Sequence, residues 1–397
     1  MTALHWGEAR DCVRRKLGES LVVRASETIP LGEAQGRVLA SDAHADRAYP
    51  PFARSMRDGF AVRAADVPGR LRLVGEVRAG EPAERAVSPG ECIEIMTGAP
   101  TPEGADAILM VEHVRRQNGF IETDRSLKSG DNIAPAGCET GAGERVLSAG
   151  TRLDYAHLAV LASIGAAQID VYKRPTVSLI ATGDVLVAPH EGPKPYQIRN
   201  SNAVSLAAQA ARAGGAVAFA TQAGDSVEAL RSAITRGLES DLMLLSGGVS
   251  AGKYDLVENV LAEYDAEFFF TRVLIQPGQP AVFGRARDKF FFGLPGNPVS
   301  TMVTFELFAR LAVEILAGQS DPVLRFTKAV LTTPFRHKTG LTRFLPASLS
   351  GDASAVTPVG WQGSGDVFAV ARANAFLVAA HDRESWNAGE AIEVLPR

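Results

Sequence analysis

Residues 241–255 constrain the fold more than any other stretch, because an apolar run there opens into a glycine-rich turn and closes on an acid. The run from Leu242 to Ser246 has four large apolar side chains, as in a buried parallel strand, and Asp255 begins a helical pattern. The turn between them is therefore a strand-to-helix loop. Such loops lie at the carboxyl ends of parallel strands, where backbone N–H groups and a helix N-terminus bind anions. The first candidate ligand contacts are Ser246, Gly247, Gly248 and Ser250.

The same turn fits the G-x-x-x-x-G-K spacing of a phosphate-binding P-loop, through Gly247, Gly252 and Lys253. The next residue is Tyr254, whereas a P-loop has a Ser or Thr whose hydroxyl binds Mg²⁺. Taken alone, the stretch also fits a plain strand-to-helix turn that uses glycine for its positive φ. These alternatives stay open until other parts of the chain are considered.

Residues 175–322 alternate short apolar runs with helical patterns. The predicted strands lie at 176–183, 216–223, 242–246, 266–275 and 289–294. The predicted helices lie at 202–213, from a cap at Asp225 to about 238, from Asp255 onward, and at 298–317. Such alternation is typical of a doubly wound, mostly parallel sheet with helices on both faces.

The 397 residues are too many for one core, since domains average ~150 residues. Residues 1–42 read mainly as helix, and a second helical segment at about 154–165 is expected to pack against them. Short strands divided by Gly and Pro fill 43–144 and return after 323. The sequence thus predicts an α/β multidomain chain, as follows: a helical linker domain (1–42 and 145–174), an inserted β-rich domain (43–144), the doubly wound domain (175–322) and a C-terminal β barrel-like domain (323–397).

Composition excludes several classes of protein. The net charge of −4 argues against a dedicated nucleic-acid binder, which would carry a basic face. Cys12, Cys92 and Cys138 are widely separated, so neither a disulfide framework nor a C-x-x-C metal site is indicated. The first residues are charged and helical, and no run of ~18 apolar residues is present to span a bilayer. We therefore expect a cytoplasmic protein without membrane contact.

Three other stretches have more turn chemistry than a connection needs. Residues 293–300, GLPGNPVS, join a predicted strand to the long helix and offer glycine backbone, an Asn side chain and a helix N-terminus, which favour an anion. Residues 182–184 end the first strand of the same predicted sheet, so the three loops share one edge if the strands are parallel. Similar turns occur at 58–59 and 97–98 in the β domain. Taken singly, each is more often an ordinary tight turn or cap.

The order of these motifs resembles one known family over nearly the whole chain. The nine matched stretches are PPFARSMRDGFAV (50–62), IMTGAPTPEGADAILMVE (95–112), GDNI (130–133), ATGD (181–184), IRNSN (198–202), SGGVSAGKYD (246–255), PGQP (277–280), GLPGNPVSTMVTFELF (293–308) and QGSGD with AVARANAFLV (362–378). Nine stretches in the same order are far more specific than any one of them. The chain resembles the molybdopterin molybdenumtransferases, the family that includes MoeA and the E domain of gephyrin.

The resemblance implies an elongated homodimer of four-domain subunits whose doubly wound domain binds molybdopterin. Its implied chemistry is to take adenylylated molybdopterin, insert molybdate into the dithiolene and release AMP, with Mg²⁺ assisting. The active site would lie between the doubly wound domain of one subunit and the inserted β domain of the other. The implied partners are the small-molecule pterin and molybdate, with transient contacts to other cofactor-biosynthesis proteins or apo-molybdoenzymes.

The resemblance also assigns roles to particular residues. The pterin and metal site would be lined by Ser246, Gly247, Gly248, Ser250 and Asp255. Pro295, Asn297 and Pro298 would shape the molybdate side, and Gly183, Gln276 and Gln279 are further implied cofactor-binding positions. Asp58 and Thr97 would come from the partner subunit and, with Asp184 and Asp255, act in catalysis. Asp58 and Asp184 are the implied Mg²⁺ ligands, since hard cations take carboxylate oxygens.

The chain departs from the family pattern at several charged positions. Positions that are usually cationic but neutral here are Ala134, Gln276, Gln279, Leu341 and Pro346. Val185 replaces the glutamate of T-G-D-E-L, Cys138 and Glu139 replace the last two residues of G-E-D, and Arg343 stands at the acid of G-R-x-E-F-L-R.

Replacing cations by neutral residues lowers the binding free energy available to an oxyanion. A charge-assisted hydrogen bond contributes about 1.5–3 kcal/mol, whereas a neutral one contributes about 1 kcal/mol. Oxyanion binding should weaken unless other donors compensate, and Arg199, Lys253 and Arg343 are the candidates. Two interpretations follow. The chain is a divergent transferase with shifted ligands, or a non-catalytic carrier that keeps the fold and binds the pterin or the finished cofactor.

Overall fold

The computed structural model describes residues 3–20, 24–248 and 254–397, except for the side chains of Tyr254 and Asp255. Three six-stranded sheets and eight α-helices organise the described residues. The helices are α1 (Trp6–Glu19), α2 (Tyr155–Ser163), α3 (Ser201–Arg212), α4 (Val227–Gly237), α5 (Tyr254–Ala262), α6 (Pro298–Thr304), α7 (Arg310–Leu316) and α8 (Val367–Arg372). Within the described ranges, no helix combines the length and the apolar character needed to cross a lipid bilayer.

The central sheet has four parallel strands, and two further strands are added to them through antiparallel pairings. Its strand order is Ala216–Ala223, Thr176–Thr182, Leu242–Ser246, Lys289–Leu294, Val282–Ala286 and Glu267–Phe270. The inner strands are apolar on both faces because helices cover both, as in other parallel sheets. The predicted mostly parallel sheet is thus confirmed.

Two cores sandwich this sheet. Leu242 and Leu244 face a core that contains residues of α1, α3, α6 and α7, whereas Met243 and Leu245 face a second core with α4 and α5. The alternation follows from the two-residue period of a strand, which sends successive side chains to opposite faces. Helices therefore cover both faces, and the predicted doubly wound architecture is confirmed.

Several boundaries inside this unit differ from the sequence prediction. The predicted strand 266–275 is two separate strands, Glu267–Phe270 and Ile275–Gln276, and Val282–Ala286 is an additional strand. The cap of α4 is Ser226, whose hydroxyl accepts a hydrogen bond from the Ala229 N–H, and not the neighbouring Asp225. The long predicted helix is interrupted by a π-helical turn at Phe305–Ala309.

The inserted domain is a six-stranded, mainly antiparallel sheet. Its strand order is Ala107–Met110, Gly59–Val62, Glu91–Ile95, Gly69–Val77, Phe120–Thr123 and Arg115–Gln117. Side chains from its two faces form two small cores, one around Phe60 and one around Ile93. A short antiparallel pair, Arg54–Ser55 with Ile133–Ala134, adjoins the sheet and makes Ala134 the register partner of Arg54.

Two predictions about the linker region are wrong. Residues 1–42 are not mainly helical, because Ser26–Pro30 forms an antiparallel pair with Gln168–Tyr172. A second pair joins Ala43–His44 to Arg145–Leu147. The expected packing of the 154–165 helix against the N-terminal helix is also wrong. Leu161 of α2 shares a core with Ile29 and Leu39, whereas α1 belongs to the core of the doubly wound domain.

The C-terminal strands close into a barrel. The strand order is Ile275–Gln276, Thr342–Leu349, Ala355–Pro358, Thr327–Leu331, Ala391–Pro396 and Ala375–Ala379. The last of these pairs back onto Thr342–Leu349, which leaves that part of the sheet without an open edge. Two further strand pairs are Leu186–Val187 with Ile198–Arg199, and Phe335–Arg336 with Ser385–Trp386. The predicted fold class, an α/β multidomain chain with a barrel-like C-terminal region, is confirmed.

Candidate functional site

Three of the predicted loops meet at one edge of the central sheet. The strands that end at Thr182, Ser246 and Leu294 are parallel neighbours, and Ser246 is the register partner of both Ala181 and Leu294. The turns that follow these strands therefore leave the same edge, as expected from parallel pairing. We call this edge, made by residues 182–184, 246–248 and 295–297, the carboxyl edge.

The three turns approach each other so closely that glycine is required. Gly247 has a φ of +88°, and a β-carbon built on it would lie 2.9 Å from the Thr182 carbonyl oxygen. A β-carbon on Gly248 would lie 2.8 Å from the Thr182 hydroxyl, and one on Gly296 would lie 3.3 Å from the Gly247 Cα. Glycine therefore lets three backbones meet where a ligand can reach their polar groups.

Ser246 is held by a residue that the sequence prediction did not assign. Asn202, in the first turn of α3, donates from Nδ2 to the Ser246 hydroxyl at 2.9 Å and to the Gly296 carbonyl at 2.8 Å. One amide thus ties α3 to two of the three turns. The signal that could have indicated Asn202 was the IRNSN stretch, in which Asn200 caps α3 through the Ala203 N–H.

Two buried polar atoms at this edge have no hydrogen-bond partner among the described residues. They are the Thr182 hydroxyl oxygen and the Asn202 Oδ1. A buried oxygen without a partner is destabilising by roughly 1–3 kcal/mol, so such atoms are rare in folded proteins. Thr182 lies against Gly247 and Gly248, and Asn202 donates to Ser246, so both residues belong to the carboxyl edge. A water or a ligand bound at this edge would complete both hydrogen bonds.

The turn at 295–297 is fixed from two directions. The Thr301 hydroxyl donates to the Pro295 carbonyl at 2.5 Å, and Pro298 is the first residue of α6. Asn297 donates from Nδ2 to the Ser364 hydroxyl at 2.7 Å. Ser364 belongs to the C-terminal QGSGD stretch, so the barrel region contacts the carboxyl edge directly. Sequence reasoning gave Ser364 no role, because its contact spans 67 residues.

Gly183 and Asp184 close the edge on its other side. The Gly183 N–H donates to the Ala223 carbonyl at 3.1 Å, and its φ of +132° favours glycine. The exposed Asp184 accepts from the Asp225 N–H with Oδ1 at 3.1 Å. That single bond leaves Oδ2 without a hydrogen bond to the described residues. Val185, which stands at the family's glutamate, is exposed and offers no ligand atom.

Gln276 and Gln279 flank a turn that packs against α6. A β-carbon on Gly278 would lie 2.5 Å from the Thr304 methyl group, so this turn is pressed onto the helix. The Gln279 carbonyl accepts from the Val273 N–H at 2.9 Å. Gln276 is the register partner of Arg343 on the neighbouring barrel strand. Both glutamines are half-buried at the junction of the doubly wound domain and the barrel.

Asp58 and Thr97 form an exposed pair in the inserted domain. Asp58 Oδ1 accepts from the Thr97 N–H at 2.7 Å and from the Thr97 hydroxyl at 2.7 Å. The backbone bond, followed by the hydroxyl bond, lowers the pKa of Asp58 below the ordinary aspartate value. No hydrogen bond between described residues joins this pair to the carboxyl edge of the same chain.

Replacing Thr97 with valine is expected to raise the pKa of Asp58 toward its ordinary value, since the hydroxyl donor is lost and the backbone donor stays. A depressed carboxyl pKa stabilises the fold above the unfolded-state pKa, and that stability is lost as the pH falls through the folded-state pKa. The variant should therefore lose less stability on acidification. An NMR titration of the Asp58 carboxyl carbon measures the pKa. Thr123→Val, which removes a hydroxyl bound to the His113 carbonyl, is the control.

Two predicted site residues cannot be placed. Ser250 lies outside the described residues, and so does the side chain of Asp255, which is the second residue of α5. The remainder of the P-loop-like turn, including Gly252 and Lys253, is outside them as well. Within the described ranges, no group of three or more His, Cys, Asp or Glu side chains is arranged to hold a metal ion.

Comparison with known proteins covers nearly the whole chain. Residues 4–165 match the MoeA N-terminal region (domain I and II), residues 178–315 match a probable molybdopterin binding domain, and residues 328–396 match the MoeA C-terminal region (domain IV). The crystal structure of the molybdopterin biosynthesis moeA protein from Pyrococcus horikoshii OT3 superposes with a TM-score of 0.84 at 28% identity, covering 100% of both chains.

Curated relatives carry one name. A molybdopterin molybdenumtransferase of Bacillus subtilis is 34% identical over an alignment of 400 positions that covers 97% of this chain and 92% of that protein. Another, from Staphylococcus epidermidis, is 32% identical over an alignment of 396 positions that covers 97% of this chain and 94% of that one. Identity above 30% over almost the full length of both proteins establishes common descent and a common fold. This chain therefore belongs to the molybdopterin molybdenumtransferase family.

Proposed function

We propose that this chain is a molybdopterin molybdenumtransferase, which inserts molybdate into adenylylated molybdopterin and releases AMP during molybdenum cofactor biosynthesis. The observation that carries the proposal is the carboxyl edge, where the family's turns at 182–184, 246–248 and 295–297 meet with their glycines and polar side chains in place. The full-length match to relatives of that name supports the same reaction. The non-catalytic carrier and the P-loop hydrolase are not favoured.

The carboxyl edge suits a phosphorylated pterin. Gly247 and Gly248 offer backbone that a phosphate can approach, and the Ser246 hydroxyl is oriented by Asn202. Thr182 and Asn202 each have a further oxygen available to accept a bond from a pterin N–H. The N-terminus of α6 adds a positive dipole beside Pro295 and Asn297, where a developing negative charge is stabilised.

Mg²⁺ is compatible with the carboxylates present. Asp58 and Asp184 are both exposed, and each uses one carboxylate oxygen for backbone N–H groups while the other is left for a cation. Mg²⁺ is commonly bound by one or two carboxylates, with water and substrate phosphate completing the shell. When bound, the ion would neutralise charge on the phosphate bridge of the adenylylated pterin.

A homodimer with a shared site accounts for the separation of these carboxylates. Asp184 lies at the carboxyl edge, whereas Asp58 lies in the inserted domain without a hydrogen bond to that edge in its own chain. We infer that Asp58 of the partner subunit completes each site. The four domain boundaries, contacts with apo-molybdoenzymes and a cytoplasmic location stay predictions of the sequence.

The proposed reaction is tested with purified protein, adenylylated molybdopterin, Mg²⁺ and molybdate. AMP release and transfer of the finished cofactor to an apo-enzyme are followed together. We expect AMP release that depends on molybdate, and activation of the apo-enzyme in proportion. Tight pterin binding without AMP release would instead identify a carrier. ATP hydrolysis by the protein alone would revive the P-loop interpretation.

A further inference from the structure

Arg343 is a half-buried cation without a counter-charge. Its Nε donates to His337 Nδ1 at 3.0 Å, and no carboxylate of the described residues lies within ion-pair distance of it. Burial, with no compensating acid, lowers the pKa of Arg343. A guanidinium has five N–H donors, and the four on its terminal nitrogens have no acceptor among the described residues. Desolvating such a group is unfavourable unless an anion binds it.

Other partly buried arginines of this chain have their charge balanced by a carboxylate. Arg37, whose side chain is 10% exposed, pairs with Glu27. Arg310 pairs with Glu306 and Glu314. Arg343 differs from both, because its partner in the protein is an uncharged nitrogen acceptor. A purely structural arginine would be expected to have a carboxylate or carbonyl partner instead.

His337 holds the guanidinium in one orientation. Its ring is 8% exposed and stacks between Phe335 and Trp386, with ring centroids 5.8 and 5.5 Å away. Because the Arg343 N–H is a donor, His337 Nδ1 must be the unprotonated nitrogen, and Nε2 carries the proton of the neutral ring. The buried Nε2 has no partner among the described residues. His337 therefore orients Arg343 without neutralising it.

The location of Arg343 connects it with the carboxyl edge. Gln276 and Arg343 are register partners on parallel strands, so their side chains leave the same face of the sheet. The turn that follows Gln276 is pressed onto α6, because a β-carbon on Gly278 would lie 2.5 Å from the Thr304 methyl group and 3.6 Å from the Ser300 carbonyl oxygen. Gln276, and with it the paired Arg343, therefore lies next to the helix whose N-terminus forms part of the carboxyl edge.

We propose that Arg343 is an oxyanion-binding residue of the proposed site, oriented by His337, and that it supplies the positive charge beside the neutral Gln276. The ligand is a tetrahedral oxyanion, either molybdate or a phosphate ester. This inference rests on the proposed function for the identity of those anions. Of the three candidate donors that the sequence offers, Arg199, Lys253 and Arg343, it selects the one at the family's acid position and adds His337 as the residue that orients it.

Oxyanion affinity tests the inference. Binding of molybdate and, separately, of AMP is measured by calorimetry for the natural chain, Arg343→Gln, Arg343→Gln with Gln276→Lys, and the control Arg336→Gln. Arg336 is 76% exposed and pairs with Glu384 in the same domain. Losing a charge-assisted bond should weaken binding by about 10- to 100-fold in Arg343→Gln. In the double variant, the Gln276→Lys change should restore affinity, since it adds a cation on the same face. The control should bind as the natural chain does.

The two anions separate the two sources of the oxyanion. A loss for molybdate alone assigns Arg343 to the molybdate side, and a loss for AMP alone assigns it to the phosphate. Unchanged affinity for both anions in Arg343→Gln would overturn the inference, as would an equal loss in Arg336→Gln. His337→Gln, which keeps an acceptor, should retain more affinity than His337→Leu if His337 orients the guanidinium.

A further variant covers the case in which Arg343→Gln does not fold. Gln276→Glu places a carboxylate beside Arg343 on the same face of the strand pair and should weaken oxyanion binding at least tenfold, roughly the effect of one charge-assisted bond. Unchanged binding would contradict the inference. AMP release by the natural chain is measured in parallel. If it is absent while the Arg343 effect remains, the transferase proposal fails and the oxyanion site stands.

Discussion

A heterodimer built from two inactive variants is expected to recover activity. Asp58→Asn and Asp184→Asn should each abolish most AMP release, because each removes one carboxylate charge from the proposed Mg²⁺ site while keeping its backbone bonds. In a dimer with one variant of each kind, one site would contain both substitutions and the other would contain both natural carboxylates. That dimer should therefore have about half the natural rate, as two-fold symmetry provides two sites.

The measurement uses co-expression with two different affinity tags and tandem purification of the mixed dimer. The Asp58→Asn and Asp184→Asn homodimers, purified in the same way, are the matched controls. A mixed dimer no more active than either control would mean that both carboxylates act within one subunit. A monomer by light scattering would contradict the shared site altogether.

Replacing Gly247 with alanine is expected to remove both stability and pterin binding. Alanine at a φ of +88° costs about 1–2 kcal/mol, and the new β-carbon would lie 2.9 Å from the Thr182 carbonyl oxygen, which adds roughly 1–3 kcal/mol. Relieving that contact moves the turn away from Thr182 and Gly296. We therefore expect the free energy of unfolding to fall by about 2–5 kcal/mol and AMP release to be lost.

Gly340→Ala separates conformational strain from crowding. Gly340 has a φ of +102°, but a β-carbon there would have no heavy atom within 4 Å. It should lower the free energy of unfolding by only about 1–2 kcal/mol and leave AMP release intact. Urea unfolding of both variants gives the comparison. Equal losses of stability would show that the contact with Thr182 contributes nothing.

The main strands of the central sheet could be predicted because each is a short apolar run in the sequence, bounded by turn residues. Leu242–Ser246 and Lys289–Leu294 are apolar runs bounded by turns, and the structure has both with the predicted bounds. The strand Ser26–Pro30 could not be predicted from the sequence. Only Ile29 of this strand is buried, and the strand that pairs with it lies far along the chain at 168–172. Val282–Ala286 was missed for a related reason. It contains Gly284 and Arg285, which weaken the strand pattern.

Some residues of the candidate site could also be predicted from local sequence patterns, whereas others could not. Ser246, Gly247 and Asn297 belong to turns whose residue types favour anions, so the sequence could indicate them. Asn202 and Ser364 act through contacts that span 44 and 67 residues, which no local pattern encodes. The unpartnered oxygen of Thr182 is likewise a property of packing, because it depends on how closely Gly247 and Gly248 approach.

At two positions where this chain lacks a cation of the family pattern, the structure has an arginine on the neighbouring strand. Ala134 and Gln276 stand where the family pattern has a cation, and each is the register partner of an arginine on the neighbouring strand, Arg54 and Arg343. Arg54 pairs with Glu139 at 2.6 Å, so its charge is already balanced. Arg343 has no such partner among the described residues. We therefore expect compensation across a strand pair at Gln276 and not at Ala134, and the pairing of Gln276 with Arg343 is a contact that the sequence does not show.

A crystal structure with adenylylated molybdopterin and molybdate bound tests the central claim most directly. We expect the pterin phosphate at the carboxyl edge, within hydrogen-bond distance of Ser246 and the Gly247 backbone, with Asp58 of the partner subunit facing it. The result that would contradict this is a pterin bound elsewhere with the carboxyl edge empty, for example in the open cavity of about 550 Å³ lined by Arg70 and Arg115.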